Sequence, residues 1–146
     1  MSKSTEELFH ELAAAGNLGD YLQKNAGELQ VPDLSLYLRT LLAEKHCKRS
    51  EVIRAANLEM SYGYRLFDGS KTRPGRDKVV ALAIGFKLTP DEADRLLKYA
   101  GQRELYSRDR RDSIICFGLE KGYNLDTINE TLTAYQCPEL NLVRDR

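Results

Sequence analysis

The sequence predicts an all-α protein, a compact helical bundle with helical extensions at both ends. Apolar residues recur at the three- and four-residue spacing of an amphipathic helix, as in Leu34, Leu38 and Leu41. No alternating apolar and polar run bounded by turn residues predicts a strand. Residues that start and stop helices punctuate the chain throughout. Periodicity and capping signals together therefore define the fold class.

The N-terminal part predicts two short helices and the start of a longer one. Ser4 and Glu7 have the spacing of a capping box, which opens a first helix that continues to about Ala15. A second helix is predicted over residues 18–25. The third begins near Asp33, a residue type that caps helix N-termini.

The middle of the chain predicts two short helices followed by an apolar one. The short helices cover residues 52–56 and 61–68, and Gly69 is a left-handed stop after the second. Residues 77–86 read "DKVVALAIGF", which is apolar on nearly every side. We therefore expect the helix formed by this segment to be buried almost all round.

The C-terminal part predicts three further helices. Thr89 is an N-cap and Pro90 takes the first helical position, where its missing N–H costs nothing. Two more helices are predicted at about residues 108–121 and 125–135, with Gly122 between them. The paired acidic residues at these helix starts complement the helix dipole, so we assign them no acid–base role.

Composition and charge indicate one domain, or a small domain with extensions, and a basic central segment. The chain has 146 residues, 42% hydrophobic and 30% charged, with a net charge of zero. Residues 45–78 contain 9 basic and 4 acidic side chains, a balance of +5, whereas residues 1–44 and 79–146 balance at −4 and −1. The central segment is therefore where a polyanion would bind.

Several classes of protein are disfavoured by the sequence. No apolar run approaches the roughly 18 residues of a membrane span, and the N-terminus does not resemble a signal peptide. Cys47, Cys116 and Cys137 form no paired motif, which favours reduced thiols in the cytoplasm. His10 and His46 lack metal-ligand spacing, and no nucleophile or phosphate-loop motif occurs. We expect a cytoplasmic protein that is not an enzyme and has no metal or cofactor.

Residues 34–89 resemble the lambda-repressor-like (XRE-type) helix-turn-helix DNA-binding family. The most specific fragments are "RLFDGSKTRP" and "VVALAIGFKLT". The resemblance implies that the helix over residues 61–68 lies in the major groove of DNA, while the preceding helix crosses the backbone. It divides the chain into an N-terminal helical arm, a helix-turn-helix domain and a C-terminal helical extension, at residues 1–32, 33–89 and 90–146.

Two departures from the family pattern fit the same alignment. Ile53 stands where the family usually has a small residue, and Gly63 stands where the facing helix usually has an aliphatic one. A swap that conserves total volume is tolerated far better than a single change. Asn57 occupies the turn position where Gly is common, and Asn is the next best residue for a left-handed conformation. Cys47 falls at a position that we expect to be a buried core thiol.

The resemblance also assigns the DNA-contacting residues. Arg is the commonest reader of guanine, and Ser contacts most bases. The predicted base-reading residues are Met60, Ser61, Tyr62, Tyr64 and Arg65. The predicted phosphate-binding residues are Lys48, Arg49, Lys71, Arg73 and Arg76. The latter would position the protein, while the former would specify sequence.

The resemblance and the extensions around it are compatible with two functions. The first is a bacterial or phage transcriptional regulator that reads a double-stranded DNA operator, as a homodimer on paired half-sites. The alternative is an adaptor or antitoxin-like protein with the same fold, which binds a toxin, kinase or defence enzyme through residues 1–32 or 104–136. An antitoxin of this kind can also repress its own operon.

A further cluster of charges leaves two interpretations open. Arg108, Arg110 and Arg111 alternate with Asp109 and Asp112 at the start of a predicted helix. The alternation fits a salt-bridged helix start and a second anion site equally well. The apolar residues that follow fit completion of the core, or a dimer or partner surface.

Overall fold

The computed structural model describes residues 3–27 and 33–143. Its regular structure over those residues is entirely α-helical, which confirms the predicted fold class, and none of the helices is long and apolar enough to cross a membrane. The chain divides into two units, residues 1–31 and 32–146. In chain order the helices are α1 (Thr5–Ala14), α2 (Leu18–Lys24), α3 (Leu34–Lys45), α4 (Arg49–Ala55), α5 (Met60–Asp68), α6 (Arg76–Gly85), α7 (Pro90–Tyr99), α8 (Arg110–Lys121) and α9 (Leu125–Ala134).

The first unit is a helical hairpin of α1 and α2 that is tied by polar contacts. The side chain of Asn25 is buried, accepts a hydrogen bond from Lys3 Nζ at 2.7 Å and donates one to Glu11 Oε2 at 3.0 Å. Neither helix contains a buried residue. Large apolar side chains remain exposed on this hairpin, namely Phe9, Leu12, Leu18 and Leu22. Over residues 3–27 the unit therefore shows no hydrophobic core of its own.

The second unit packs α3 to α9 around one hydrophobic core. Helix α6 is buried on every side from Lys78 to Ile84, as its apolar sequence predicts. Helices α8 and α9 complete this core rather than standing apart from it. Their fully or nearly fully buried side chains are Ile115, Leu119, Leu125, Ile128 and Leu132.

Helix α7 is fastened to α3 and begins at a complete capping box. The Thr89 side chain accepts from the N–H of Glu92, whose carboxylate accepts from the N–H of Thr89. Lys45 Nζ lies 2.6 Å from a carboxylate oxygen of Glu92, and the rings of Tyr37 and Tyr99 stack with centroids 4.2 Å apart. The predicted helix start at Thr89 is confirmed.

Two helix starts differ by more than one residue from the sequence-based expectation. Helix α4 begins at Arg49 rather than at Val52, and α8 begins at Arg110 rather than at Arg108. The later start of α8 has a local cause, because Asp109 takes the N-cap position and its carboxylate accepts from the N–H of Asp112 at 2.9 Å.

The contact between α4 and α5 depends on the paired exchange of Ile53 and Gly63. Both residues are buried, and a Cβ atom built on Gly63 would lie 2.6 Å from two side-chain carbons of Ile53. Such a distance is too short for a real contact. The prediction that a glycine accommodates Ile53 is confirmed. Cys47, expected in the core, is only half-buried, although this burial still raises the pKa of its thiol.

We predict that Gly63→Ala lowers the free energy of unfolding by about 1–3 kcal/mol, because the added methyl group overpacks the α4–α5 contact. In an Ile53→Ala background the same substitution should be neutral or stabilising, since alanine has the better helix propensity by about 1 kcal/mol. Urea unfolding of the four proteins in this double-mutant cycle measures the coupling. An equal cost of Gly63→Ala in both backgrounds would contradict the prediction.

Candidate nucleic-acid interface

Helices α4 and α5 are joined by a short turn with one left-handed residue. Ala56 ends α4, and Asn57 has a φ of 55°, as predicted for the turn position where glycine is common. Leu58 then points into the core, and its N–H donates to the carbonyl of Ile53 at 3.1 Å. The turn is thereby fixed from both sides, and α5 begins at Met60.

Helix α5 has one buried face and one outward face. Tyr62, Gly63, Leu66 and Phe67 are buried. Ser61 and Arg65 are exposed, while Met60 and Tyr64 are half-buried. The hydroxyl of Ser61 donates to the carboxylate of Glu59 at the N-terminus of the helix. The structure therefore places four of the five predicted base-reading residues at or beside the outward face.

Tyr62 is the exception, and its predicted outward position is wrong. Its side chain is only 4% exposed and belongs to the hydrophobic core. The cause is helical phase, because residues four apart lie on the same face and Tyr62 shares its face with buried Leu66. The ammonium groups of Lys71 and Lys78 lie 5.8 and 4.9 Å from the centre of the Tyr62 ring. The residue anchors α5 and the loop after it.

Tyr64 is held by an arginine of the preceding helix. The guanidinium carbon of Arg49 lies 4.8 Å from the centre of the Tyr64 ring, a cation–π arrangement. The pair joins the start of α4 to the middle of α5 on the outward side. A predicted phosphate-binding residue and a predicted base-reading residue are therefore brought together.

A basic loop follows α5 and continues this surface. Gly69 ends the helix in the left-handed conformation at a φ of 90°, as predicted. Asp68 then accepts hydrogen bonds from the N–H and hydroxyl of Ser70 at 2.8 and 2.6 Å, which lower the pKa of its carboxyl. Beyond this turn, Lys71 is half-buried and Arg73 is exposed.

We call the outward face of α5, the start of α4 and this loop the basic face. It contains the exposed or half-buried predicted residues Lys48, Arg49, Met60, Ser61, Tyr64, Arg65, Lys71 and Arg73. Its cations can attract phosphate groups. Its arginine, serine and tyrosine side chains can donate hydrogen bonds to base edges.

Arg76, predicted to bind phosphate, instead braces the protein internally. Its Nη1 and Nη2 atoms donate to the two carboxylate oxygens of Asp112, each at 2.9 Å. Its Nε and Nη2 donate to the carbonyls of Arg103 and Glu104, each at 3.0 Å. The side chain is 14% exposed. The predicted phosphate contact is corrected, since the guanidinium already has a bidentate carboxylate partner.

A second arginine repeats this arrangement in the opposite direction. Arg111 of α8 donates through Nη1 and Nη2 to both carboxylate oxygens of Asp77 of α6, each at 2.9 Å. Its Nε and Nη2 donate to the carbonyls of Pro138 and Glu139. Two adjacent residues of α6, one basic and one acidic, thus form ion pairs with two adjacent residues of α8, one acidic and one basic. We call these two ion pairs the crossed brace.

The crossed brace was not predicted from the sequence. From the residues alone, the charges of "RDRRD" fit a salt-bridged helix start and an anion site equally well. Arg111 and Asp112 pair with α6, about 35 residues away in the chain. The available signal was the adjacent basic and acidic residue at each helix start. A single sequence does not show which helix start pairs with which.

Comparison with protein families, with curated proteins and with solved structures finds no match for this chain.

The crossed brace predicts how stability responds to acid. Burial raises the pKa of Asp112, but hydrogen bonds from Arg76 and from the N–H of Tyr106 lower it by more, so the folded pKa lies below the ordinary value. Burial also raises the pKa of Asp77, and Arg111 and the N–H of Asn141 again lower it by more. Both carboxylates therefore stabilise the fold above the unfolded pKa of about 3.9. This stability is lost as the pH falls through the folded pKa values.

We predict that Asp112→Asn lowers the free energy of unfolding at pH 7 by about 3–5 kcal/mol, because it leaves a buried guanidinium without its counterion. The variant should also lose less stability than the wild type between about pH 5 and pH 3. The matched control is Glu104→Gln, which breaks an exposed ion pair with Lys98 and should cost less than about 1 kcal/mol. Urea titrations across pH measure both effects, and equal costs for the two variants would refute the role of the brace.

Proposed function

We propose that the protein is a sequence-specific, double-stranded-DNA-binding transcriptional regulator of the lambda-repressor-like type. The observation that carries the proposal is the basic face. It combines a short helix with exposed Arg65 and Ser61, and cations on both sides in Arg49 and Arg73. An α-helix fits the major groove, and arginine is the commonest side chain to read guanine there. Phosphate contacts from the flanking cations would set the register of the helix on the duplex.

The acidic side chains near this face support the same assignment. The carboxylate of Asp68 accepts hydrogen bonds from the N–H and hydroxyl of Ser70, and that of Glu59 accepts one from the hydroxyl of Ser61. Asp77, close in sequence, is neutralised by Arg111. The hydrogen bonds leave Asp68 and Glu59 charged, but the cations Lys48, Arg49, Arg65, Lys71 and Arg73 outnumber the exposed carboxylates of Glu51, Glu59 and Asp68, so the exposed charge is mainly positive. This is the electrostatic pattern expected of a surface that approaches the phosphate backbone.

A homodimer on paired half-sites belongs to the proposal, because proteins of this type commonly bind half-sites one helical turn apart. An apolar cleft between α8 and α9 supports it, since it gives a second copy a surface to pack on. The cleft has a volume of about 440 Å³ and its lining includes Ile114, Phe117, Tyr123 and Tyr135. Footprinting would show two protected half-sites whose centres lie about one helical turn of DNA apart.

We predict that Arg65→Ala reduces base discrimination. A duplex selected from random sequence, or from the promoter of the protein's own gene, should bind the wild type saturably. Arg65→Ala should weaken this binding by about 10- to 100-fold, the value of one bidentate base contact, with little change for an unrelated duplex. Fluorescence anisotropy across salt concentrations measures both affinities.

The control for this experiment is Arg95→Ala, which removes an exposed arginine of α7 outside the basic face. It should bind both duplexes like the wild type. Weak binding to every duplex, equal for the wild type and for Arg65→Ala, would contradict a sequence-reading regulator.

The second candidate function is binding of a protein partner, which the first unit favours. Its helices leave Phe9, Leu12, Leu18 and Leu22 exposed, with Phe9 at 69%. Exposed apolar side chains concentrated on two helices that bury none of their own residues are typical of an interaction surface. An adaptor or antitoxin-like protein would use such a surface, and DNA binding by the second unit is compatible with it.

We predict for this second candidate that Phe9→Ser/Leu12→Ser abolishes copurification of one stoichiometric partner from cells of the source organism. The partner should remain bound to Arg65→Ala, because that substitution lies in the other unit. Mass spectrometry of purified tagged proteins, with intact unfolding transitions as a folding check, measures the loss. A partner retained by the first variant, or none bound by the wild type, would rule this function out.

A further inference from the structure

The loop between α7 and α8 carries two arginines that no ion pair in the described residues engages. Arg103 and Arg108 are exposed, and Tyr106 between them is 53% exposed. The acidic residues of the same loop already have partners within the protein. Glu104 pairs with Lys98 at 3.1 Å, and Asp109 caps α8. The loop therefore offers positive charge to the solvent although its composition is mixed.

Hydrogen bonds hold this loop beside the loop that follows α5. Gln102 Nε2 donates to the carbonyl of Pro74 at 3.0 Å. Arg76 donates to the carbonyls of Arg103 and Glu104, each at 3.0 Å. Arg73, a member of the basic face, is the residue before Pro74, and Arg103 is the residue after Gln102. The two arginines therefore project from backbone segments that are fastened together.

The backbone of the loop is fixed beyond this junction as well. The N–H of Leu105 donates to Asp94 at 2.8 Å, and the N–H of Tyr106 donates to Asp112 at 3.0 Å. The hydroxyl of Ser113 donates to the carbonyl of Ser107 at 2.6 Å. Arg103 and Arg108 thus stand on a preordered segment. Binding through them requires little ordering of the backbone, which is a large part of the cost of a loop contact.

From this placement we propose that Arg103 and Arg108 form a second DNA contact, in which they bind backbone phosphates of the duplex beyond the segment read by α5. The inference rests on the proposed DNA-binding function and extends it to a loop outside the helix-turn-helix segment. A guanidinium fork matches phosphate oxygens and cannot be deprotonated at physiological pH. Duplex DNA is the favoured ligand because the loop is bonded to the basic face at its Arg103 end, where Gln102 donates to the carbonyl of Pro74 beside Arg73. A contact with phosphates adds affinity and no base preference.

The test compares Arg103→Gln/Arg108→Gln with the wild type on the selected duplex across salt concentrations. Two lost phosphate contacts per subunit, at about 0.9 per contact, should reduce the slope of log K against log salt by about 1.8 for each bound subunit and by about 3.6 for the proposed dimer. The ratio of affinities for selected and unrelated duplexes should stay the same. Because neither side chain has a hydrogen bond in the described structure, urea unfolding should be unchanged. The charge-matched control is Arg95→Gln/Lys87→Gln, which removes two exposed cations that belong neither to the basic face nor to the lining of the apolar cleft.

Duplexes of different length locate the contact. Shortening the duplex on each side in turn should weaken wild-type binding once the flanking phosphates are lost. The Arg103→Gln/Arg108→Gln variant should be insensitive to that same truncation. A slope and a length dependence equal to those of the control variant would overturn the second contact. A fall in the ratio of affinities for selected and unrelated duplexes in the Arg103→Gln/Arg108→Gln variant would overturn it too, since this fall would indicate that α5 is disturbed.

The two proposals fail in different ways. If the wild type shows no preference for any duplex and Arg65→Ala behaves like it, the DNA-reading function fails and the loop contact falls with it. If the wild type prefers the selected duplex and Arg65→Ala loses part of that preference, but the loop variant matches its control, only the loop contact is wrong. Binding of the two arginines to an acidic protein instead would appear as this second result.

Discussion

The crossed brace is the interaction on which the second unit depends. Arg76–Asp112 and Arg111–Asp77 join the first turns of α6 and α8, and each guanidinium also binds two carbonyls in a neighbouring loop. Buried ion pairs contribute to stability only when their remaining donors and acceptors are satisfied. This condition is met, since no buried polar side-chain atom lacks a partner in the described residues. The brace therefore fixes the C-terminal helices and both adjoining loops in one arrangement.

Two interactions hold the elements that carry the basic face. The contact of Gly63 with Ile53 sets the position of α5 on α4, and the brace holds Arg76 at the end of the loop that follows α5. The missing side chain at Gly63 lets α5 approach α4 closely, so the outward direction of Arg65 is set by packing in the core. Tyr62, buried with two ammonium groups near its ring, anchors the loop that follows α5. Preorganised side chains bind without a large entropic cost. The rigidity of this region therefore favours its proposed function.

The sequence predicts local structure well and long-range partners poorly. Helix starts follow from short-range chemistry, so the N-cap at Thr89 and the left-handed Asn57 and Gly69 were predicted and are confirmed. The Ile53–Gly63 contact was predicted because volume compensation is visible in the residue types alone. For the two tyrosines of α5, the family resemblance predicted that both read bases, whereas the phase of the helix buries Tyr62 and leaves Tyr64 half-buried at the outward face. For Arg76, the partner lies 36 residues away in the chain, and a single sequence holds no signal for that distance.

The chain has a net charge of zero, but its acidic and basic residues are distributed differently in the second unit. In the second unit Asp77 and Asp112 are paired with arginines inside the fold, whereas Asp68, Asp94 and Asp109 accept hydrogen bonds from backbone N–H groups and keep their charge. A carboxylate paired with an arginine has its charge offset locally, while an exposed arginine projects its field into solvent. The field at the basic face therefore differs from the field that a net charge of zero suggests. A chain with a pI near 6.7 can in this way present a positive face to a polyanion.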